Sequence, residues 1–454
     1  MATTKGLFTT NRAYTALLRN TWVSTQYNVP VYQTDPYFMY NTMLLSGDTF
    51  NTQSFNSDAS LNNFNLTVVG DTKAARNSPY GTGWSNYFDG TGDYMTVPYS
   101  SNFDLSTGDW TMEAWFNARS FAAALSIIAK DTNGTNFDWN MGINNSTTLS
   151  IYTAGTAQNL TATVPTMSID TWYHYAICRT GTATRIFLNG TQYATSNLAL
   201  TNASATTPTI GCTSYNAPGN FVNGSISNLR VVKGVGVYTG TFTPPTSPLT
   251  ATQSAGVNIT AITGTATSLL TCQSNRFKDN STNNLTLTPN GDISVRNFNP
   301  FDTGSSFTNY GSGYFDGTGD QLTYVNNPLF AFFTGNFTVE CWLYPLSSGG
   351  QSVMNYSNGQ AANSNFAWEM YQVNGTTIQF AILDSDGGTQ YVASSTGLRI
   401  NSWNHIAAVR NGNTMSIYVN GVVGGTTVSV TGVSVFNKSG ATLKVSGYNN
   451  ATGM

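Results

Sequence analysis

Glu113 and Glu340 hold the same place in two similar segments, TMEAWF at 111–116 and TVECWL at 338–343. The two histidines also recur in matching segments, His174 in WYHYA (172–176) and His405 in WNHIA (403–407). Glycoside hydrolysis by carboxylates needs a pair of acids, about 5–9.5 Å apart. Glutamate occurs only at 113, 340 and 369, and none is followed by an aspartate two residues on. One histidine per segment and no nucleophile-elbow motif leave no Ser-His-Asp set to assemble. No glycine-rich phosphate loop occurs. Cys178, Cys212, Cys272 and Cys341 form no C-x-x-C pair and read as buried free thiols rather than a zinc site or a disulfide framework.

The acids with the most suggestive spacing lie in a heptapeptide spelled twice. YFDGTGD begins at Tyr87 and again at Tyr314. Asp89, Asp93, Asp316 and Asp320, with Asp58 and Asp279 near the starts of the repeats, offer hard oxygen donors of the kind calcium takes. No D-x-D-x-D-G loop accompanies them. Asx-turns, in which a carboxylate accepts backbone N–H bonds, account for the same residues without an ion. Both readings stand at this level, one with no cofactor and one with Ca²⁺.

The elements that must position these residues come in two copies. Aligning the heptapeptides also aligns 109–116 with 336–343, Trp172-Tyr-His174 with Trp403-Asn-His405, Arg179 with Arg410, and RIFLNG (185–190) with SIYVNG (416–421). Upstream, Met43-Leu-Leu45 matches Ser268-Leu-Leu270. A repeat this long is a domain, not a solenoid unit. Within each copy the apolar residues alternate with period two, as in TMEAWF, RIFLNG and MSIYVNG, which predicts strands. Asn-Gly at 189–190 and at 420–421 predicts hairpin turns, since both turn positions favour positive φ. The heptapeptide itself predicts a corner between two strands, with glycines at positive φ and aspartates bonding to backbone amides. No segment shows a helical period with caps.

Composition agrees. Charged residues make up 9% of the 454 residues, hydrophobic residues 40% and aromatic residues 13%. Asn, Thr, Ser and Gly replace charge, the profile of an all-β chain with polar strand formers outside. The net charge is −3, which gives no electrostatic case for nucleic acid. No run of about 20 apolar residues is present to span a membrane. The start, MATTKGLFTTNRAY, has no apolar core of a secretory signal.

FDGTGD before an apolar strand, then TMEAW or TVECW, then W-x-H-x-A, then I-x-L/V-N-G, resembles the laminin-G-like members of the concanavalin-A-like lectin/glucanase fold. GSISNLRVVKGVGVYTGTFTPPTSPLTA (224–251) looks like the last strand and tail of such a domain, and TSLLTCQSNRFKDNS (267–281) like the opening of the next. The resemblance covers about 41–454. It implies an all-β chain of two tandem β-sandwich jelly rolls after a short extended N-terminal arm: arm 1–40, jelly roll 41–250, linker 251–266, and jelly roll 267–454. The glucanases of this fold carry E-x-D-x-x-E on one strand, which this sequence lacks, so no enzyme is expected. The lectins use exposed aromatics, for which Trp84, Trp139, Tyr215, Trp368 and Tyr448 are the candidates, with core packing as the competing role.

Copy two stops short. ThrProThrIle (207–210) precedes Gly224-Ser-Ile-Ser in copy one, and its match, ThrLeuLysVal (442–445), lies close to Met454. The last strand is expected from further chain or from a neighbouring subunit, because a sandwich without it exposes a sheet edge. Residues 1–40 match neither copy. Arg12, Tyr14, Leu17, Arg19 and Trp22 make this arm too apolar for a solvated tail and suit docking to a partner. Low charge and tandem copies resemble the structural proteins of tailed bacteriophages. The expected function is a non-enzymatic virion structural protein, a tail-fibre or appendage component. Its arm would meet other virion proteins, and its jelly rolls would meet host-surface glycans or neighbouring subunits in a homo-oligomer. A capsid decoration protein and a secreted bacterial carbohydrate-binding adhesin are the alternatives.

Overall fold

Trp110, Met112, Ala114 and Phe116 alternate along one strand, so all four side chains fall on one face, where they are buried. Thr111 and Glu113 point the other way. The partner strand Trp172–Thr180 does the same: Tyr175 and Ile177 enter the main core, while Ala176 and Cys178 join a second apolar cluster on the opposite face. Such strands can be buried on both sides only if a further layer covers the outside of the sheet.

The computed structural model describes residues 41–45, 60, 62, 64, 67–69, 73–75 and 83–446, apart from 132–136, 154–157, 203–204, 215, 302–311 and 359–365. The chain is all-β and its strand pairs are antiparallel. One sheet of the first sandwich runs Thr191–Ser196, Ala183–Leu188, Trp172–Thr180, Trp110–Ala118, Asn223–Lys233, Ser85–Asp89, Ser294–Arg296, with Thr267–Thr271 also on Asn223–Lys233. The facing sheet runs Thr288–Asn290, Tyr94–Thr96, Pro208–Ile210, Leu125–Asp131, Phe137–Asn145, Thr148–Thr153, Gln158–Thr163. Ile128, Trp139, Met141 and Ile151 meet the alternating residues of the first sheet to form the core.

The second sandwich repeats this plan. Thr67–Val69, Gln321–Tyr324, Thr442–Val445, Gln351–Ser357, Phe366–Asn374, Thr377–Leu383 and Gln390–Thr396 form one sheet. Phe337–Leu343, Asn404–Asn411, Thr414–Val419 and Val422–Val423 form the other, with Val428–Ser429 also on Thr414–Val419. Trp368, Met370, Phe380, Ile406 and Ile417 fill the space between. Both Asn-Gly pairs turn as the sequence predicts, with φ of 47° and 77° at 189–190 and 53° and 82° at 420–421.

Sheet pairing crosses between the copies. The hairpin Thr288–Asn290 and Ser294–Arg296, which the sequence reading places in the second copy, pairs with Tyr94–Thr96 and Ser85–Asp89 of the first. Thr267–Thr271 likewise pairs with Asn223–Lys233. In return, Thr67–Val69 and Lys73–Ala75 pair with Gln321–Tyr324 and Ser312–Tyr314. The segment 251–266, expected as a linker, lies against the first sandwich at Ile262. Tyr238, Phe242 and Ile262 cover the outer face of its sheet at Ala176, Cys178 and Phe187. They are the further layer that buries Glu113.

Candidate functional site

The heptapeptide forms the same corner in both sandwiches. Gly90 and Gly92 have φ of 94° and 78°, and Gly317 and Gly319 have φ of 90° and 79°. Asp89 accepts the N–H of Thr91 (2.6 Å), and Asp93 accepts that of Asp89 (2.9 Å). Asp316 and Asp320 accept in the same way from Thr318 (2.7 Å) and Asp316 (3.0 Å). Both corners are therefore Asx-turns in a shared frame.

In the first sandwich a third acid joins. The incoming hairpin brings Asp292, whose N–H donates to Asp93 Oδ1 at 2.8 Å. One carboxylate oxygen from each of Asp89, Asp93 and Asp292 lies within 4.8 Å of the others. Asp93 is buried while Asp89 and Asp292 are exposed. Burial pushes the Asp93 carboxyl up to about 6, and the neighbouring Asp292 adds to the rise. Among the described residues no third acid joins Asp316 and Asp320, and Asp320 Oδ1 has no partner. Asp292 is not among the acids that the repeated heptapeptide singles out. The signal was present, because Gly291-Asp292 after Thr288–Asn290 repeats Gly70-Asp71 after Thr67–Val69.

A cleft of 340 Å³ opens beside the acids. Tyr87, Asp89, Asp292, Ser294 and Arg296 form one wall, and Tyr344, Leu346 and Asn401 form the other. The Arg296 guanidinium lies 3.5 Å above the Tyr87 ring. Tyr344 donates its hydroxyl to the Val295 carbonyl (2.8 Å), and the Val295 N–H donates to the Asn401 carbonyl (2.9 Å). Beneath lies an apolar cluster of Trp84, Val295 and Trp403 that joins the sandwiches. The cleft thus combines aromatic rings with carboxylate, carboxamide, hydroxyl and guanidinium groups.

The sequence model described as the concanavalin A-like lectin/glucanases superfamily matches residues 89–235 and 316–453, more than half of the chain. The chain belongs to the concanavalin A-like lectin/glucanases superfamily. No curated protein matches it by sequence. Three similar solved structures are those of a Bacteroides ovatus protein whose description proposes carbohydrate binding, a heptameric SAP-like pentraxin from Limulus polyphemus, and domains LG4-5 of the mouse laminin alpha1 chain. The first is 19% identical over 48% of this chain and 60% of that one, with a TM-score of 0.34. The pentraxin is 16% identical over 33% and 76%, with a TM-score of 0.27. The laminin domains are 10% identical over 82% and 84%, with a TM-score of 0.28. At these identities and TM-scores the three likenesses carry no argument.

In this superfamily chain three of the five expected sugar-binding aromatics are buried instead. Trp139 and Trp368 are 0% and 1% exposed, and are twin core anchors. Each indole N–H donates to the carbonyl of a residue in a short 3-10 turn, Phe103 (3.1 Å) and Phe330 (2.8 Å). Trp84 is 5% exposed, because Val295 and Trp403 cover it. Tyr215 and Tyr448 lie outside the described residues, as do Asp58 and the arm residues Arg12, Tyr14, Leu17, Arg19 and Trp22. Asp279 is buried. It accepts from the N–H groups of Leu270, Ser281 and Leu285 and from the Ser281 hydroxyl, which makes it a loop organiser.

Glu113 sits inside Trp110–Ala118 with no exposed surface. Arg230 donates to its Oε1, Tyr238 donates to its Oε2 (2.6 Å), and His174 Nε2 lies 3.0 Å from Oε2. Burial alone would raise its pKa. The Arg230 charge and the His174 and Tyr238 bonds outweigh that and hold it at about 2. A carboxylate so placed braces the sheet and has no access to substrate. The three cysteines 178, 212 and 272 are buried free thiols, and Cys341 is a partly buried one.

Proposed function

We propose that the chain is a non-enzymatic glycan-binding structural protein, and that the cleft between its two sandwiches is the sugar seat. The cleft carries the proposal. Sugars present hydroxyls that carboxylate, amide and guanidinium groups recognise, and C–H faces that lie on aromatic rings. Tyr87 and Tyr344 supply rings beside Asp89, Asp292, Arg296 and Asn401. Membership of a superfamily named for lectins supports the same reading.

Calcium fits the first corner. Asp89, Asp93 and Asp292 offer three hard oxygen donors at a separation a single Ca²⁺ can bridge. The ion would offset the charge that burial disfavours on Asp93 and would add a Lewis-acidic contact for sugar hydroxyls at the cleft.

The proposed setting is a tailed-phage particle. There the protein is a tail-fibre or appendage component, with residues 1–40 docked to other virion proteins and the sandwiches turned toward host-surface polysaccharide. The low charge and the tandem copies support this setting. Screening the full chain on a glycan array tests the binding, and a panel with no hit removes it. Immunogold labelling of source particles tests the setting. Label on the tail supports the appendage, label over the head makes the protein a decoration, and unlabelled particles leave a secreted adhesin.

A further inference from the structure

Three strands of the second sandwich bring three unlike side chains into one row. Lys444 pairs with Asn355 across neighbouring antiparallel strands, and Asn355 pairs with Glu369 across the next. All three are buried. Their neighbours Leu443, Tyr356 and Trp368 enter the core, so the three share the opposite face of the sheet. The same row of the first sandwich holds Thr209, Ala129 and Asn140. The fold therefore does not itself require a lysine, an asparagine and a glutamate here.

Hydrogen bonds run through the row from end to end. The Lys444 amine donates to the Ser357 hydroxyl (2.8 Å) and to the Ser357 carbonyl (3.2 Å). The Ser357 hydroxyl donates to Asn355 Oδ1 (2.7 Å), and Asn355 Nδ2 donates to the Ser352 hydroxyl (3.0 Å). The Ser352 hydroxyl bonds in turn to Glu369, whose Oε1 has no partner. Among the described residues no carboxylate meets Lys444 and no cation meets Glu369. Burial brings the amine down to about 8 and the carboxyl up to about 8, so both lean toward their uncharged forms. An uncharged amine is a nucleophile, and here it is one hydroxyl away from a carboxamide.

We propose that Lys444 and Asn355 join in an isopeptide bond, a covalent cross-link between their two strands. The amine attacks Cγ of Asn355. The bond that forms is Nζ–Cγ, the bond that breaks is Cγ–Nδ2, and ammonia leaves. The amine sheds one proton and the departing nitrogen gains one, so no oxidant or co-reactant is needed. The Ser357 hydroxyl, already on Oδ1, stabilises the charge that develops there. Glu369 passes a proton to the leaving nitrogen through the Ser352 hydroxyl, and the proton shed by the amine restores it. The product is a neutral amide in place of a buried cation that nothing compensates. It fastens Thr442–Val445 to Gln351–Ser357 by more than hydrogen bonds. The titration of Lys444 belongs to the chain before the bond forms.

Intact-mass spectrometry of the full chain tests the bond. The expected mass is short by one ammonia, and a protease digest should yield one branched peptide joining the residues around Lys444 to those around Asn355. Lys444→Arg keeps the cation and Glu369→Gln keeps the shape, so both variants should fold, as circular dichroism checks. Each should regain the full mass and lose the branched peptide, which a merely structural role for Glu369 would not produce. The wild-type mass decides the matter without any variant, and a full mass overturns the cross-link. Loss of ammonia with no branched peptide places the loss at an Asn-Gly site such as Asn189 and overturns it equally. A branched peptide short by one water and joining Lys444 to Glu369 overturns the choice of Asn355. A branched peptide that survives Glu369→Gln overturns the part given to the carboxyl.

Discussion

Arg230 donates from both Nε and Nη2 to one oxygen of Glu113, at 2.9 and 2.6 Å, across 117 residues of sequence. The same guanidinium donates to the Thr250 carbonyl and to the Gln253 side chain. The group ties the sheet to the segment laid over it. Removing one member strands the other charge out of water. Arg230→Met is expected to cost about 3–5 kcal/mol in urea unfolding, and Glu113→Gln somewhat less. The double variant should cost clearly less than the two losses added together. Additive losses would mean that the pair is not coupled.

The acid limb of stability should report the same pair. Glu113 is held at about 2, below its ordinary 4.5. A depressed carboxylate contributes stability that is present above the unfolded value and is lost as pH falls through the folded one. The chain should therefore weaken between pH 4.5 and 2, and Glu113→Gln should flatten that part of the curve.

Glu369 predicts the opposite slope. Burial pushes it from 4.5 up to about 8, and its Oε1 has no partner. Stability from the neutral carboxyl is present below 4.5 and is lost as pH rises through 8. Asp93, at about 6, has completed its own loss by then. Lys444, lowered by burial from 10.5 to about 8, acts above this interval. Between pH 6 and 8 the wild-type chain should lose about 2 kcal/mol that Glu369→Gln retains. Urea midpoints at closely spaced pH values measure the difference.

The presence of strands within each copy was legible because period-two alternation and Asn-Gly turns are local signals. So was the Asp-Gly-Thr-Gly-Asp corner, whose glycines take the positive φ the residues require. The fate of Trp139 and Trp368 was not legible. Whether a strand tryptophan faces core or solvent depends on which sheet packs over it, and that sheet comes from distant residues. The exchange of hairpins was hidden for a related reason. TVVGDTKA (67–74) and TPNGDISV (288–295) are alike enough to suit either sandwich. Local sequence does not choose between them, and the missed third acid, Asp292, came with that choice.

Calcium at 10 mM is expected to raise Tm by about 3–6 °C, on the affinity usual for extracellular modules. Asp292→Asn should abolish the shift. Asp292 is exposed, so the loss would not come from unfolding. Equal shifts with magnesium would point to general charge screening instead.

Asn401 separates the cleft from the tryptophans. Its backbone sits at φ 54°, which glycine tolerates, and its side-chain amide reaches the Asp292 carbonyl at 3.3 Å. Asn401→Gly therefore removes the carboxamide while keeping the turn. With a glycan found on the array, affinity should fall about tenfold, the loss of one good hydrogen bond, while Tm moves little. Trp139→Phe should do the reverse. It deletes the indole bond to Phe103 inside the core, lowers stability by about 1 kcal/mol or more, and leaves affinity unchanged. If Trp139→Phe weakens the glycan and Asn401→Gly does not, the sugar seat lies away from the cleft.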